Sequence, residues 1–277
     1  MKSALGLILG VSILATLVGC DGGGDDGTDG PKAVGGSNSS AAGTSSTAGS
    51  TVLPSGGSDA TAGTSAGGGG GDLPPGVPLT PTDGWVDKAS NTLGVQGAMF
   101  SYADDTSKMG LTDDFMGSNA CIKGTAAKVD LKCTPMAPAM DCYGQFWGAA
   151  IGLNLNQPID MTTMMGSDPV PFDGSAIKGF AFEVSGTMVP APKDFRFKVE
   201  GPSGEFCSVY GTKPIKTGPN TFMLDDLITA CWKPVMGAAT ASTTKSSMLK
   251  IAWQVVTNST STVPFDFCIA NVRALTE

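Results

Sequence analysis

The sequence predicts an all-β fold, a two-sheet antiparallel β-sandwich that follows a disordered linker. Apolar residues alternate with polar or small residues along several segments, which is the period-two pattern of half-buried strands. Strong helical periodicity is absent. All 19 aromatic residues of the 277-residue chain lie at or after Trp85. Only residues 84–277 are therefore expected to build a core that offsets its ordering entropy.

Eight candidate strands can be placed in order along residues 84–277. Each has one apolar face, and segments rich in Gly, Pro, Asn and Asp separate them. The candidates are Val95–Tyr102, Trp147–Leu155, Phe180–Ser185, Phe195–Glu200, Phe206–Tyr210, Thr221–Leu224, Leu249–Val256 and Phe265–Val272. Strands with one apolar face each argue for two packed sheets.

Residues 21–83 have the composition of a flexible linker. Gly, Ser, Thr, Ala and Asp dominate the segment, and it holds 18 of the 39 glycines. A coil of this length spans about 45 Å on average. Such a tether suits binding or display at a surface, and catalysis does not require it.

The first 20 residues have the pattern of an export signal. A positive start, Met1-Lys2-Ser3, precedes the apolar run Ala4–Leu17, which is shorter than the roughly 20 residues of a membrane-spanning helix. The run ends in Leu17-Val18-Gly19-Cys20, which resembles the lipobox of bacterial lipoproteins. The resemblance implies lipidation of Cys20 and anchoring in the cell envelope, outside the cytoplasm. The alternative is an ordinary signal peptide with an incidental cysteine.

Six cysteines remain when Cys20 is set aside, and an even number in an exported domain indicates disulfides. The spacing of Cys207 and Cys231 suits a bridge. The remaining expected pairs are Cys133–Cys142 and Cys121–Cys268. A four-cysteine zinc site is the alternative, but the short paired spacings that it needs are absent.

Composition excludes several functions. The chain has no histidine, which removes Ser-His-Asp triads, His-ligated metals and histidine pH switches. Its net charge of −8 disfavours nucleic acid, whose binding depends on phosphate neutralisation. Paired carboxylates are the remaining catalytic option. Glu183 stands alone on its strand, Glu200 shares a face with Lys198, and Asp225 and Asp226 are adjacent, so we expect no enzyme activity.

An acidic loop is a candidate calcium site, because calcium prefers several oxygen ligands. Its carboxylates are Asp104, Asp105, Asp113 and Asp114. Their spacing does not match an EF-hand loop, and the alternative is a solvated acidic loop. No other cofactor is expected.

The order of features in the last hundred residues is similar to a carbohydrate-binding-module jelly roll of the galactose-binding-like type. The matching segments are Phe172-Asp173, Gly179–Gly186, Phe195-Arg196-Phe197, Thr221–Leu227, Trp232, Leu249–Trp253 and Phe265–Val272. The resemblance implies a jelly-roll sandwich whose partner is a polysaccharide or other glycan. The alternatives are a surface structural or protein-interaction module and, third, a glycoside hydrolase. A monomer is expected.

A binding site can be predicted if the strands that contain Trp147–Leu155, Phe195–Val199, Phe206–Tyr210 and Leu249–Val255 share one sheet. Their outward-facing polar residues would then converge, with the small residues Gly152 and Ala252 as a groove floor. The predicted ligand-binding residues are Asn154, Arg196, Lys198, Tyr210 and Gln254. Amide and guanidinium groups suit vicinal hydroxyls, although a solvated sheet face is the simpler alternative. The loop aromatics Tyr143, Phe146, Tyr210 and Trp232 are the other candidates for sugar contact.

Overall fold

The computed structural model describes residues 72–129, 145–163 and 165–277. Within these ranges the chain forms two large antiparallel sheets and one small two-stranded hairpin, joined by turns and short 3-10 segments. The predicted all-β sandwich is confirmed. No helix among the described residues has the length and apolar character needed to cross a bilayer.

The strands are numbered in chain order. They are β1 Val77–Pro78, β2 Trp85–Val86, β3 Gly97–Ala103, β4 Thr112–Asp114, β5 Ala120–Ala126, β6 Ala149–Asn154, β7 Ile159–Asp160, β8 Met165–Gly166, β9 Gly179–Met188, β10 Phe195–Gly201, β11 Gly204–Ser208, β12 Gly218–Met223, β13 Leu227–Ile228, β14 Lys250–Val255 and β15 Val263–Leu275. The 3-10 segments are Lys88–Ser90, Pro192–Asp194, Leu224–Asp226 and Ala241–Ser247.

Two large sheets contain all of these strands except the small hairpin β7-β8. The six-stranded sheet has the order β12-β9-β15-β5-β4, and β1 pairs with the end of β15. The seven-stranded sheet has the order β13-β11-β10-β14-β6-β3-β2. Every one of the eight predicted strands has a counterpart in this arrangement.

Aromatic side chains from both sheets fill the core. Phe182 of β9 lies against Phe197 of β10 and Trp253 of β14, with ring centroids 5.0 and 5.3 Å apart. All three side chains are fully buried. Such ring pairs add about 0.5–1.5 kcal/mol each beyond the burial of their area, so they join the two sheets firmly.

Two disulfides connect parts of the sandwich, and both match predicted pairs. Cys121–Cys268 joins β5 to β15 within the six-stranded sheet. Cys207–Cys231 joins β11 to the segment after β13 at the edge of the other sheet. The third predicted pair, Cys133–Cys142, lies outside the described residues, as does Cys20.

The sandwich begins before the predicted boundary at residue 84. Val77 and Pro78 pair with Ala274 and Arg273, and Leu79 is fully buried in the core. Proline cannot donate a ladder hydrogen bond, so within sheets it is found on edge strands, where that donor is not needed. The proline-rich composition of this segment is therefore compatible with a short edge strand, which the sequence analysis did not predict.

Candidate functional site

The four strands on which the predicted site depends do share one sheet. β6, β10, β11 and β14 all belong to the seven-stranded sheet. Phe197 and Trp253 are paired across β10 and β14 and point into the core. Because side chains alternate along a strand, Arg196 and Lys198 point to the opposite, outer face, and so does Gln254.

Four of the five predicted residues lie on this outer face. Arg196 is directly opposite Gln254, Lys198 is opposite Ala252, and Asn154 is opposite Lys250. Tyr210 lies beyond the end of β11 and is 56% exposed. It makes no ring contact with the other described residues.

Burial corrects the expectation that these side chains are freely exposed. Asn154, Lys198 and Gln254 are all buried. The amide nitrogen of Asn154 donates to Gln157 Oε1 at 3.0 Å, and that of Gln254 donates to the Trp147 carbonyl at 2.8 Å. These amides already serve the structure, which leaves Arg196 as the partly exposed member of the paired set.

An aromatic row that the sequence analysis did not predict lies on the same face. The ring centroids of Phe100 and Tyr102 are 5.4 Å apart, and those of Tyr102 and Trp147 are 5.3 Å apart. All three rings are partly exposed. We call these three residues the aromatic row.

Gly152 allows the first ring to lie close to the sheet. A Cβ at residue 152 would stand 2.7 Å from the tip of the Phe100 ring, which is too close for a side chain. The predicted open groove floor at Gly152 is therefore wrong, because Phe100 of the neighbouring strand covers it. The ring itself forms the floor.

Ion pairs flank the aromatic row. The Lys198 ammonium contacts Glu200 at 3.2 Å and also contacts Glu205. Lys250 binds Glu200 at 3.0 Å, and its ammonium lies 4.7 Å from the centre of the Tyr102 ring. The network places two lysines and two carboxylates near Tyr102, the central ring of the row.

The Tyr102 hydroxyl faces this network. Its oxygen is buried beside Glu200 but makes no hydrogen bond of normal geometry with the described residues. Burial, followed by repulsion from Glu200 and Glu205, raises the pKa of Tyr102 well above its ordinary value. The phenol therefore stays neutral, and its polar end is available to a ligand only if the surroundings adjust.

A second aromatic position lies at the far side of the face. The guanidinium carbon of Arg196 is 5.8 Å from the centre of the Trp232 ring, and Trp232 is 57% exposed. Burial lowers the pKa of Arg196, while Glu205 and Asp194 oppose that shift. An arginine remains cationic at neutral pH even so.

Cys207 places Trp232 on this face. Cys207 is opposite Lys198 in the sheet, so its side chain also points outward. Its disulfide partner is Cys231, the residue immediately before Trp232. The bridge therefore holds the indole next to β10.

The carboxylates considered for catalysis are used in other ways. Glu183 accepts a hydrogen bond from Asn271 at 2.9 Å, and Asp225 accepts from Thr240 at 3.2 Å. Hydrogen bonds from Ser242 and Thr240 lower the pKa of Asp225. Glu200 and Glu205 are cross-strand neighbours, but both bind Lys198. Both carboxylates are therefore engaged in ion pairs.

The acidic loop has a local structural role. Both carboxylate oxygens of Asp104 accept hydrogen bonds, one from Thr106 and Ser107 and the other from the Gly148 amide at 2.6 Å. Asp113 accepts from the Ser101 hydroxyl. Among the described residues, no group of three or more acidic or cysteine side chains is arranged to hold a metal ion. The calcium hypothesis stays a prediction.

The aromatic row could have been recognised from the phase of β3. Val95 and Met99 point into the core, so Phe100 and Tyr102, on the opposite phase, must point outward. Two large aromatic residues on the outward-facing positions of one strand indicate an aromatic surface that could be predicted from the sequence. Trp147 gives no such signal, because it precedes β6 and its orientation depends on the preceding chain. Tyr143 lies outside the described residues, and Phe146 is partly exposed.

No protein-family model and no curated protein matches this sequence. Among solved structures, the family 11 carbohydrate-binding module of the cellulase Lic26A-Cel5E of Clostridium thermocellum is similar over 75% of this chain and 97% of its own, at 10% identity and a TM-score of 0.39. The family 11 module of that organism with a β-1,3-1,4-mixed-linked tetrasaccharide covers 73% and 97%, at 10% identity and 0.38. SGBP-B from a xyloglucan utilization locus in Bacteroides uniformis covers 65% and 47%, at 12% identity and 0.31.

Proposed function

We propose that this protein binds carbohydrate, without catalysis, on the outer face of its seven-stranded sheet. The observation that carries the proposal is the aromatic row of Phe100, Tyr102 and Trp147. The C–H faces of sugar rings pack on aromatic rings. A group of neighbouring apolar side chains that is partly exposed on a protein surface is typical of a binding site. A row rather than a single ring favours a chain of linked sugars over one monosaccharide.

Polar groups beside the row supply the directional contacts that hydroxyl groups need. Lys198, Lys250, Glu200 and Glu205 offer donors and acceptors in a fixed arrangement. Because each charge already has a partner, the network is ordered before a ligand arrives. Pre-ordered groups lose less conformational entropy on binding.

We place this activity in the cell envelope. Two disulfides indicate a domain that folds in an oxidising compartment. Cys20 would anchor the protein through lipid, and residues 21–83 would hold the domain away from the membrane surface. In this arrangement the protein retains a polysaccharide at the cell and leaves hydrolysis to other proteins.

Affinity electrophoresis of the full-length protein tests the proposal. The gels contain neutral polymers, mixed-linkage β-glucan and xyloglucan, or acidic ones, polygalacturonate and alginate. We expect retardation in at least one gel. Trp147→Ala and Phe100→Ala should each weaken binding at least about fivefold, since truncating a central aromatic contact usually costs more than about 1 kcal/mol.

Met188→Ala is the control, because it truncates an exposed apolar side chain in β9 of the six-stranded sheet, away from the proposed face. It should bind as the wild type does, and melting temperatures identify any variant that is damaged. Wild-type binding by both row variants would refute the proposed face. Failure of every polymer to retard the protein would refute carbohydrate binding for this panel and favour the protein-interaction alternative.

A further inference from the structure

Arg196 differs from the other two cations on the outer face. Lys198 and Lys250 are each paired with a carboxylate. The Arg196 guanidinium makes no ion pair or hydrogen bond with the described residues, and its contact there is the Trp232 ring, 5.8 Å from the guanidinium carbon. Arg196 is therefore the cation of this group without a direct ion pair, and Glu205 and Asp194 act on it at longer range.

The N–H groups of Arg196 donate to no acceptor among the described residues, and the Trp232 ring, centred 5.8 Å from the guanidinium carbon, does not use them. Two parallel N–H groups of a guanidinium match the two oxygens of a carboxylate. A hydroxyl group accepts only one of them, which leaves the other donor unused.

The position of Arg196 relative to the aromatic row suits a polymer. Tyr102 is opposite Ala150, Ala150 is opposite Gln254, and Gln254 is opposite Arg196. This path crosses three strand spacings, about 14 Å. Because Phe100 and Tyr102 both lie in β3, a polymer that contacts the row and Arg196 must run across the strands, from Tyr102 over β6 and β14.

We propose that the ligand is an acidic polysaccharide and that Arg196, backed by Trp232, receives the carboxylate of a uronate residue. The proposal rests on the proposed function and adds the class of its ligand. The Cys207–Cys231 disulfide contributes by holding Trp232 against the arginine. A sulfated polysaccharide offers the same negative charge without the planar pair of oxygens, so it serves as the competing ligand.

A chemically matched pair of polymers tests the assignment. The full-length protein is titrated calorimetrically with polygalacturonate and with the same polymer after reduction of its carboxyl groups. We expect the acidic form to bind at least tenfold more tightly. Arg196→Gln should remove that difference, and Arg196→Lys should restore only part of it.

Arg273→Gln is the control variant, because Arg273 lies in β15 of the other sheet. It should keep the full preference for the acidic polymer, and melting temperatures show whether each variant is folded. Equal affinity for the acidic and reduced polymers would overturn the uronate assignment while leaving carbohydrate binding intact. The uronate assignment would also be overturned if Arg196→Gln kept the preference for the acidic polymer, or if a sulfated galactan bound as tightly as polygalacturonate. If the wild-type protein binds neither neutral nor acidic polymers, that result counts against the proposed function itself.

Discussion

Replacement of Tyr102 by phenylalanine should change how the stability of the domain depends on alkaline pH. Burial and the Glu200 and Glu205 carboxylates raise the pKa of this phenol in the folded protein, whereas in the unfolded chain it is near the ordinary value of about 10. Above that pH the unfolded state loses the proton and the folded state keeps it. Unfolding is therefore favoured as the pH rises, and below about pH 9 the phenol contributes no pH dependence.

The magnitude follows from proton linkage. Once the unfolded phenol has ionised, the free energy of unfolding falls by about 1.4 kcal/mol for each further pH unit. Between pH 9 and pH 11 the loss attributable to Tyr102 is about 1.4 kcal/mol. At neutral pH, Tyr102→Phe should be close to neutral or slightly stabilising, because the hydroxyl oxygen is buried without a hydrogen bond of normal geometry.

Urea denaturation from pH 8 to pH 11, followed by tryptophan fluorescence, measures the effect. The stability of Tyr102→Phe should rise relative to the wild type by about 1.4 kcal/mol across this range. Tyr210→Phe, at an exposed position, should follow the wild type. Parallel curves for Tyr102→Phe and wild type would show that the folded phenol ionises normally, and the burial argument would then be wrong.

Three further predictions concern stability and processing. Joint replacement of Cys207 and Cys231 by alanine opens a loop with a sequence separation of 24 and should lower the free energy of unfolding in urea by about 3.5 kcal/mol; an unchanged transition would mean that the bridge is absent. Asp104→Ala leaves the Gly148 amide and its other donors without their acceptor and should cost about 2–4 kcal/mol, seen as a lower melting temperature. Cys20→Ser should abolish lipid attachment, and mass spectrometry that maps the mature N-terminus elsewhere in the wild type would contradict the lipobox interpretation.

Strong alternation made most of the sandwich predictable. β10 and β14 carry large apolar residues on one phase and polar residues on the other, so their existence and inward faces follow from the sequence. β5 gives a weaker signal, since Ala120, Gly124 and Ala126 provide little apolar contrast. Its presence depends on pairing with β15, and local sequence does not encode that pairing.

The candidate site was predictable in part. Alternation places Arg196, Lys198 and Gln254 on one outer face, and the structure confirms that their strands share a sheet. Their burial is a tertiary effect, because it depends on neighbours contributed by distant strands, such as Trp147 for Gln254. The contact between Arg196 and Trp232 depends on a disulfide, whose geometry the spacing of two cysteines does not determine.

The pairing of the short strand β1 with β15 is the first interaction that we expect to break when the domain is pulled from its N-terminal side. Only Val77 and Pro78 pair with β15, and one further backbone hydrogen bond joins Leu79 to Val272. A polysaccharide held on the seven-stranded sheet, pulled against an N-terminal attachment, would load this pairing before the longer ladders. Release of residues 72–78 would add about 25 Å of chain, and the buried Leu79 side chain would then resist further extraction. The first strand can thus absorb a sudden load by lengthening while the aromatic row and the core keep their arrangement.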